Sequence, residues 1–367
     1  MTEHKAMYMA MELSAKKWHL CFWAGSAKRK ITVDAGNLEG TLETIKLAKR
    51  KLGLAADCQV YSCYEAGRDG FWIHRFLTNS GINNQVVDSA SIEVNRRQRR
   101  QKTDRLDADK LVTMLFRYWE LKERGVWKIV KVPSKEQEDD RQLHRDIERL
   151  KAERKQHNVR IRSLLVKFGI KVKQPHRCDL SELRDWCGEP LPEDIAGVLI
   201  MEQQRLKLVI NQIKELEEAR DQRIAEPRND SDRKAEKLIR LKAVGPVSGW
   251  CLAKEFFGWR EFQNRKQVGG LAGLTGTHYS SGDSTRDQGI SKAGNPRVRH
   301  LMVELAWTWL RLQPQSELSK WYNERYANST KRMRRVGIVA LARKLLIALW
   351  KYVEKDEIPE GAVLNRV

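Results

Sequence analysis

Between Thr275 and Ser284 the chain sets five serine and threonine hydroxyls, Thr275, Thr277, Ser280, Ser281 and Ser284, among glycines, and follows them with Arg286, Lys292, Arg297 and Arg299. Glycine lets a backbone approach a ligand closely, and hydroxyls beside cations suit a phosphate. By spacing alone the stretch is a phosphate-binding loop whose hydroxyls are interchangeable. A serine becomes a nucleophile only when a base or a metal activates it. Four upstream carboxylates could supply the metal. Glu12 lies within an apolar strand pattern, Glu65 ends another, and Asp104 and Asp107 stand three apart at the start of a helical pattern, on one face. A carboxylate in an apolar strand is costly unless paired or bound to metal. Hard oxygen donors arriving from several elements suit Mg2+, which serves phosphodiester chemistry. Plainer roles exist: Asp104 as a helix N-cap, Asp107 offsetting the helix dipole, Glu65 as a solvated strand end. Glu12 is hardest to account for that way. Asp109 lies on a different face of the helix from Asp104.

The charge balance points to the substrate class. The chain of 367 residues carries 69 Lys and Arg against 48 Asp and Glu, a net charge of +21. Such an excess implies a nucleic-acid partner. The cations cluster: Arg96, Arg97, Arg99, Arg100 and Lys102 directly precede the Asp104 helix, and Lys331, Arg332, Arg334 and Arg335 stand between two C-terminal helices. The six cysteines form no Cys-x-x-Cys pair, and His176, Cys178 and Cys187 lack a fourth ligand at zinc spacing. Reduced thiols, no leader and no apolar run of membrane-spanning length imply a cytoplasmic protein without a membrane partner.

The elements that would position these residues read as follows. Strands are expected at Met7–Leu13, Trp18–Trp23, Lys30–Val33, Gln59–Tyr64 and Gln85–Val87, with helices at Leu38–Leu52, Phe71–Leu77 and Asp104–Trp119. A hairpin meander followed by alternating crossovers gives a mixed sheet with helices on its faces, the order of a ribonuclease H-like fold. From Ser134 to Lys167 and from Val198 to Arg220 the chain turns charged with a helical period. Leu143, Ile147, Leu150, Ile161 and Leu164, and then Leu199, Leu206, Val209, Ile213 and Leu216, imply two long helices that form a coiled-coil hairpin or pair between subunits, with Arg154 and His157 weakening the middle of the first seam. Residues 169–196 read as a connector and Glu226–Arg233 as a polar break. Leu238–Ser248 has the outline of a helix-hairpin-helix, with Ala243 where that motif has a second glycine, and equally of a plain αα-corner. Val298–Leu312 and Ile338–Val353 read as helices whose Trp307, Trp309 and Trp350 belong to the core. The expected class is α/β plus α, with domains at residues 1–128, 129–230 and 231–367, the last mainly helical.

Taken together, these residues resemble a known family. Glu12, Tyr64-Glu65-Ala66-Gly67 and Lys102-Thr103-Asp104-Arg105-Leu106-Asp107-Ala108 look like the DEDD tetrad of a class of insertion-sequence transposases. Leu271 to Thr275, Ser280 to Arg286 and Ser291-Lys292-Ala293-Gly294 look like the C-terminal transposase domain of the same class. The resemblance covers nearly the whole chain in the right order. It implies a bridge-RNA-guided serine recombinase with a RuvC-like domain, a coiled coil and a transposase domain, acting on donor and target DNA as a dimer that assembles into a tetramer. It also implies that Ser281 is the nucleophile, that Glu12, Glu65, Asp104 and Asp107 bind Mg2+, and that the site is shared between one subunit's RuvC-like domain and another's serine domain. Glu12 departs from the pattern, which has Asp there. Two other readings fit the residues: a RuvC-like nuclease that cuts by water attack, and a non-enzymatic nucleic-acid-binding coiled-coil protein.

Overall fold

The computed structural model describes residues 6–25, 27–92, 104–281 and 284–365. The chain divides into two compact units, Met1–Pro133 and Ser134–Val367.

In the first unit, strands β1 (Ala6–Leu13), β2 (Lys17–Trp23), β3 (Lys28–Asp34), β4 (Gln59–Glu65) and β5 (Asn83–Val87) form a mixed sheet in the order β3-β2-β1-β4-β5. The meander β1-β2-β3 is antiparallel, because only short turns join its strands. Helix α1 (Leu38–Lys51) links β3 to β4, and α2 (Trp72–Asn79) makes the crossover that leaves β4 and β5 parallel. The central strand β1 is buried from Ala6 to Met11, and its alternation feeds two cores. Met7, Met9 and Met11 pack with Trp18, Leu20, Ile45, Ile73 and Leu77 under α1 and α2. Ala6, Tyr8 and Ala10 face helix α3 (Asp104–Trp119) with Cys63, Leu111, Val112 and Leu115. Beyond β5, the chain returns as an antiparallel segment: Val130 N–H donates to Val86 O at 2.8 Å and Asp88 N–H to Lys128 O at 2.9 Å. That segment covers an edge that would otherwise expose unpaired backbone groups.

The second unit opens at a capping box, where Ser134 and Gln137 exchange side-chain to backbone hydrogen bonds around the start of α4 (Lys135–Asp139). Helices α5 (Gln142–Val166) and α6 (Glu193–Ala225) then pack antiparallel. Ile147, Leu150, Ile161, Leu199, Leu206, Val209 and Ile213 are buried as the periodicity requires, and Leu165 is more deeply buried than Leu164. The polar middle of the seam has a specific filling. Glu202, its side chain only 1% exposed, accepts from His157 at 2.7 Å and Arg205 at 2.7 Å and pairs with Arg160 at 3.2 Å. Burial disfavours its charge, but these donors outweigh that and hold its carboxyl below the usual range.

After Asn229, which caps α7 (Asp230–Ile239), the chain turns into α8 (Pro246–Leu252) and a π-helical turn at Ala253–Phe257. Helices α9 (Arg265–Leu271), α10 (Pro296–Leu312), α11 (Glu317–Tyr326) and α12 (Lys331–Lys355) surround one core built on Phe256, Val268, Met302, Trp309, Leu341 and Leu345. The α7–α8 turn holds Ala243 at a φ of 94°, a left-handed conformation that suits glycine. Ala243→Gly is expected to stabilise the chain by about 1 kcal/mol, read as a higher denaturant midpoint at unchanged slope.

Helix α11 is an addition to the elements expected. Trp307 is 46% exposed, so only Trp309 and Trp350 of the three tryptophans are core. Lys331, Arg332, Arg334 and Arg335 are not a linker between helices. They form the first turns of α12, because Thr330 caps the helix by accepting from Met333 N–H. The serine-rich stretch expected as a loop is largely a two-stranded hairpin. No described helix is long and apolar enough to cross a membrane.

Candidate functional site

The carboxylate positions of the first unit fall at one end of the sheet, where β1 and β4 finish. β1 and β4 are parallel and paired up to Met11 opposite Tyr64, so Glu12 and Glu65, one step further, are neighbours at the strand ends. Strand alternation puts Glu12 on the face of Tyr8 and Ala10, and Glu65 on the face of Cys63. That is the face α3 covers. Helix α3 runs back along the sheet. Its Asp109 lies beside Cys21 and its Leu111 O beside Cys63 Sγ, both level with Ala10, while further along the helix Phe116, Trp119 and Glu120 meet Trp23, Tyr61 and the Tyr8 hydroxyl, level with the beginnings of β1 and β4. The first turn of α3, with Asp104 and Asp107, therefore falls at the end of the sheet that carries Glu12 and Glu65. The side chains of Asp104 and Asp107 lie outside the described residues. Among those described, no three His, Cys, Asp or Glu side chains gather as a metal site.

Glu12 is half-buried and Glu65 exposed. Oxygen donors on two adjacent strand ends, with a helix beginning beside them, are the donor chemistry of a hard divalent cation. Asp109 takes no place among them. Burial opposes its ionisation, but Lys28 at 2.7 Å and Lys30 at 3.5 Å outweigh that and hold its carboxyl low. Two neighbours of this end of the sheet carry little signal in the sequence. His19 stands directly across from Glu12 on β2, with Nδ1 2.9 Å from Thr32 Oγ1, and Asp88 follows β5 immediately. Period-two counting from Trp18 would have put His19 on the Glu12 face.

In the second unit, β6 (Gly276–Ser281) and β7 (Ser284–Ile290) pair antiparallel, with Ser280 opposite Thr285 and Ser281 opposite Ser284. The register shifts between Gly276 and His278, an irregularity of the kind found beside active sites. The hairpin sorts the hydroxyls. Thr277 Oγ1 donates to Gly289 O at 3.1 Å and is committed to the ladder. Thr275 sits below the hairpin, its buried Oγ1 without a hydrogen-bond partner among the described residues. Ser280, Ser281 and Ser284 stand at the far end.

The base of the hairpin is drawn tight. Ser291 N–H donates to Thr275 O at 2.8 Å, Lys292 N–H to Gly273 O at 3.2 Å, and Asn295 N–H to Leu271 O at 2.9 Å. A side chain at Gly294 would run into the Leu271 carbonyl, and one at Gly273 into that of Ala293. Arg299 contributes to this closure, donating to Lys292 O at 2.9 Å and Ala272 O at 3.4 Å. Arg297 pairs with Glu148 of α5 at 2.7 Å. Both arginines thus have structural partners that the sequence did not reveal.

Lys292, Lys331, Arg332, Arg334 and Arg335 are exposed. The last four crowd like charge onto the positive end of the 25-residue helix α12, an arrangement that an anion relieves. Arg96, Arg97, Arg99, Arg100 and Lys102 lie outside the described residues, as does the side chain of Arg286. A hollow of about 260 Å³ in the helical pair is walled by Arg154, Asn158, Lys173, Gln174, His176 and Ile210, with no carboxylate.

Residues 235–320, which hold the whole hairpin, match the family model described as Transposase IS116/IS110/IS902 family. Over 98% of its own length, and 95% of the relative's, the chain is 40% identical to a Sinorhizobium fredii protein carrying the transposase designation y4rJ. It is 26% identical, over 57% of this chain and 60% of the relative, to the transposase for insertion sequence element IS1328 of Yersinia enterocolitica.

Proposed function

The chain belongs to the IS116/IS110/IS902 family of transposases, and from that premise we propose that it moves its insertion sequence by RNA-guided DNA strand exchange through a covalent link to Ser281. Its partner as a transposase is DNA. The hairpin carries the proposal: it commits Thr277 to the strand ladder and leaves Ser280, Ser281 and Ser284 at its end, with family resemblance singling out Ser281. We read the β3-β2-β1-β4-β5 sheet as a ribonuclease H-like, RuvC-like domain, and α5 with α6 as the coiled coil.

In this mechanism the Ser281 hydroxyl gives up its proton and its oxygen attacks a DNA phosphorus. The new serine–phosphate ester forms as the bond to the 3′ oxygen breaks, and that oxygen leaves as a hydroxyl. Attack by another strand's 3′ hydroxyl reverses the sequence and frees the serine. The phosphodiester is exchanged rather than hydrolysed, so no ATP is needed. Glu12, Glu65, Asp104 and Asp107 would hold Mg2+, which when bound lowers the pKa of a coordinated oxygen and stabilises charge on the phosphate. Lys292 and Arg286 would neutralise the phosphate, and the α12 cations and the hollow at Arg154 and Lys173 would seat nucleic-acid backbone. The guide would be a bridge RNA, and the active assembly a tetramer built from two dimers.

The experiment offers the chain an insertion-sequence end, RNA transcribed from that end and Mg2+, and denatures the products in detergent. A protein–DNA adduct supports the proposal. Nicked DNA with no adduct would instead establish the water-attacking nuclease. Separately, Arg332→Ala with Arg335→Ala should weaken duplex binding uniformly across sequences. The slope of log affinity against log salt should become shallower by about 1 for each phosphate that is no longer neutralised.

A further inference from the structure

The serine hairpin is tied to the foot of the helical pair through one buried carboxylate. Glu255, its side chain 2% exposed, sits in the π-helical turn between α8 and α9. It accepts from His144 Nε2 at 2.9 Å, from Arg145 Nε at 2.6 Å and Nη2 at 2.9 Å, and from Asn295 Nδ2 at 3.3 Å. His144 and Arg145 belong to the first turn of α5. Asn295 closes the hairpin base through its N–H and caps α10 through Oδ1, which accepts from Arg297 N–H at 3.0 Å and Val298 N–H at 3.3 Å. One helical turn further along α5, Glu148 holds Arg297. Both bridges join the beginning of α5 to residues just after β7.

The neighbouring residue in the π turn faces another buried network. Lys254 is fully buried and bonds Asp140, Ser231 and Asp232, while Arg223 reaches Asp140 at 2.6 Å and Asp232 at 3.1 Å. Two adjacent buried ions are a poor way to gain stability alone, because apolar side chains of similar volume often serve as well or better. Single π turns are also enriched at functional sites. The two networks have different destinations. The Lys254 network, with Arg223, fastens the end of α4 to α6 and α7, whereas the Glu255 network reaches Asn295 at the base of the hairpin.

We propose that Glu255 is a positioning residue for the serine hairpin, fixing the chain beyond β7 to the start of α5 through Asn295, so that the orientation of the helical pair sets where Ser281 stands. The consequence for chemistry rests on the reading of Ser281 as nucleophile. The anchoring itself does not. A change in the seating of α5, as when nucleic acid loads onto the pair, is transmitted to the hairpin through Glu255.

The discriminating variant is Asn295→Asp in the full-length chain. Aspartate caps a helix as well as asparagine, so α10 keeps its start. The Nδ2 donor is replaced by an oxygen that repels Glu255. Hydrogen exchange of amides within Gly276–Ile290 is expected to rise about tenfold, while α10 and α12 keep their protection and nucleic-acid binding is unchanged. Adduct formation should slow by a similar factor. Combining Asn295→Asp with Glu255→Gln restores a donor opposite an acceptor, and should return hairpin exchange to within about threefold of the unmodified chain. A merely stabilising role would instead shift exchange across the whole unit, without rescue in the pair. Unchanged hairpin exchange in Asn295→Asp, or no rescue in the double variant, overturns the proposal. Hairpin exchange that rises and is rescued, in a chain forming no adduct, upholds the anchoring and overturns only the nucleophile reading.

Discussion

Replacing Ser281 with alanine is expected to abolish the covalent protein–DNA adduct and all strand exchange while leaving DNA and RNA affinity within about twofold. Removing the attacking oxygen leaves no alternative on the same atom, and losses of nucleophiles in covalent enzymes reach about 10⁶-fold. Cleavage by adventitious water would be slower by at least about 10³-fold. Ser280→Ala and Ser284→Ala are the controls. Both neighbours lie in the same paired end of the hairpin, so their loss should perturb the rate by no more than about tenfold, the range expected of positioning groups. Gel-resolved adduct yields for the three variants, with binding measured on the same preparations, check the prediction.

Glu65→Gln and Glu12→Gln carry the next largest effect. Each keeps the volume of the side chain and removes its charge at the end of the sheet where β1 and β4 finish side by side. Loss of one anionic ligand from a hard-cation site should lower adduct formation on the order of 10³-fold, comparable to removing one electrostatic stabiliser of a charged transition state. The Mg2+ concentration at half-maximal rate should rise. Glu12→Asp should behave differently: it shortens the side chain by one methylene but keeps the charge, so activity within about tenfold of the unmodified chain is expected. The readouts are adduct rate against Mg2+ concentration and thermal unfolding, the latter to show that the sheet is intact. A shift in stability with no change in Mg2+ dependence would assign these carboxylates to folding alone.

The first unit is legible in the sequence because its signals are local and redundant. β1 reads as apolar on both faces up to Met11 and then breaks at Glu12, and the few residues between successive strands leave antiparallel pairing as the simple solution. The parallel crossover through α2 follows from its length. The edge-covering segment at 128–130 is not legible, since it makes a single bridge whose partner lies some forty residues away. In the second unit, periodicity yields α5 and α6, but not the ion cluster that fills their seam. Glu202 is one charged residue among many in sequence and becomes special only when His157, Arg160 and Arg205 converge on it.

The hairpin escapes a sequence reading for a compositional reason. Gly276–Ser281 and Ser284–Ile290 are rich in glycine, serine and charge, residues with weak strand preference, so nothing local distinguishes them from a loop. The candidate chemistry is insensitive to that difference because it depends on residue type and order. The supporting roles are not: Arg297 and Arg299 resemble phosphate ligands in sequence, and only the fold shows Glu148 and the backbone of Ala272 and Lys292 as their partners. Glu255 has no signal at all, being one acidic residue before a pair of phenylalanines, and its place depends on partners 40 and 111 positions away in the chain.

The most direct test is to trap the adduct, digest the protein and DNA, and locate the residual nucleotide by fragment mass spectrometry of the segment between Lys266 and Arg286. A phosphonucleotide on Ser281, formed only with Mg2+ present, is the predicted result. Nucleotide on Ser280 or Ser284, or cleaved DNA with no modified peptide, would contradict it.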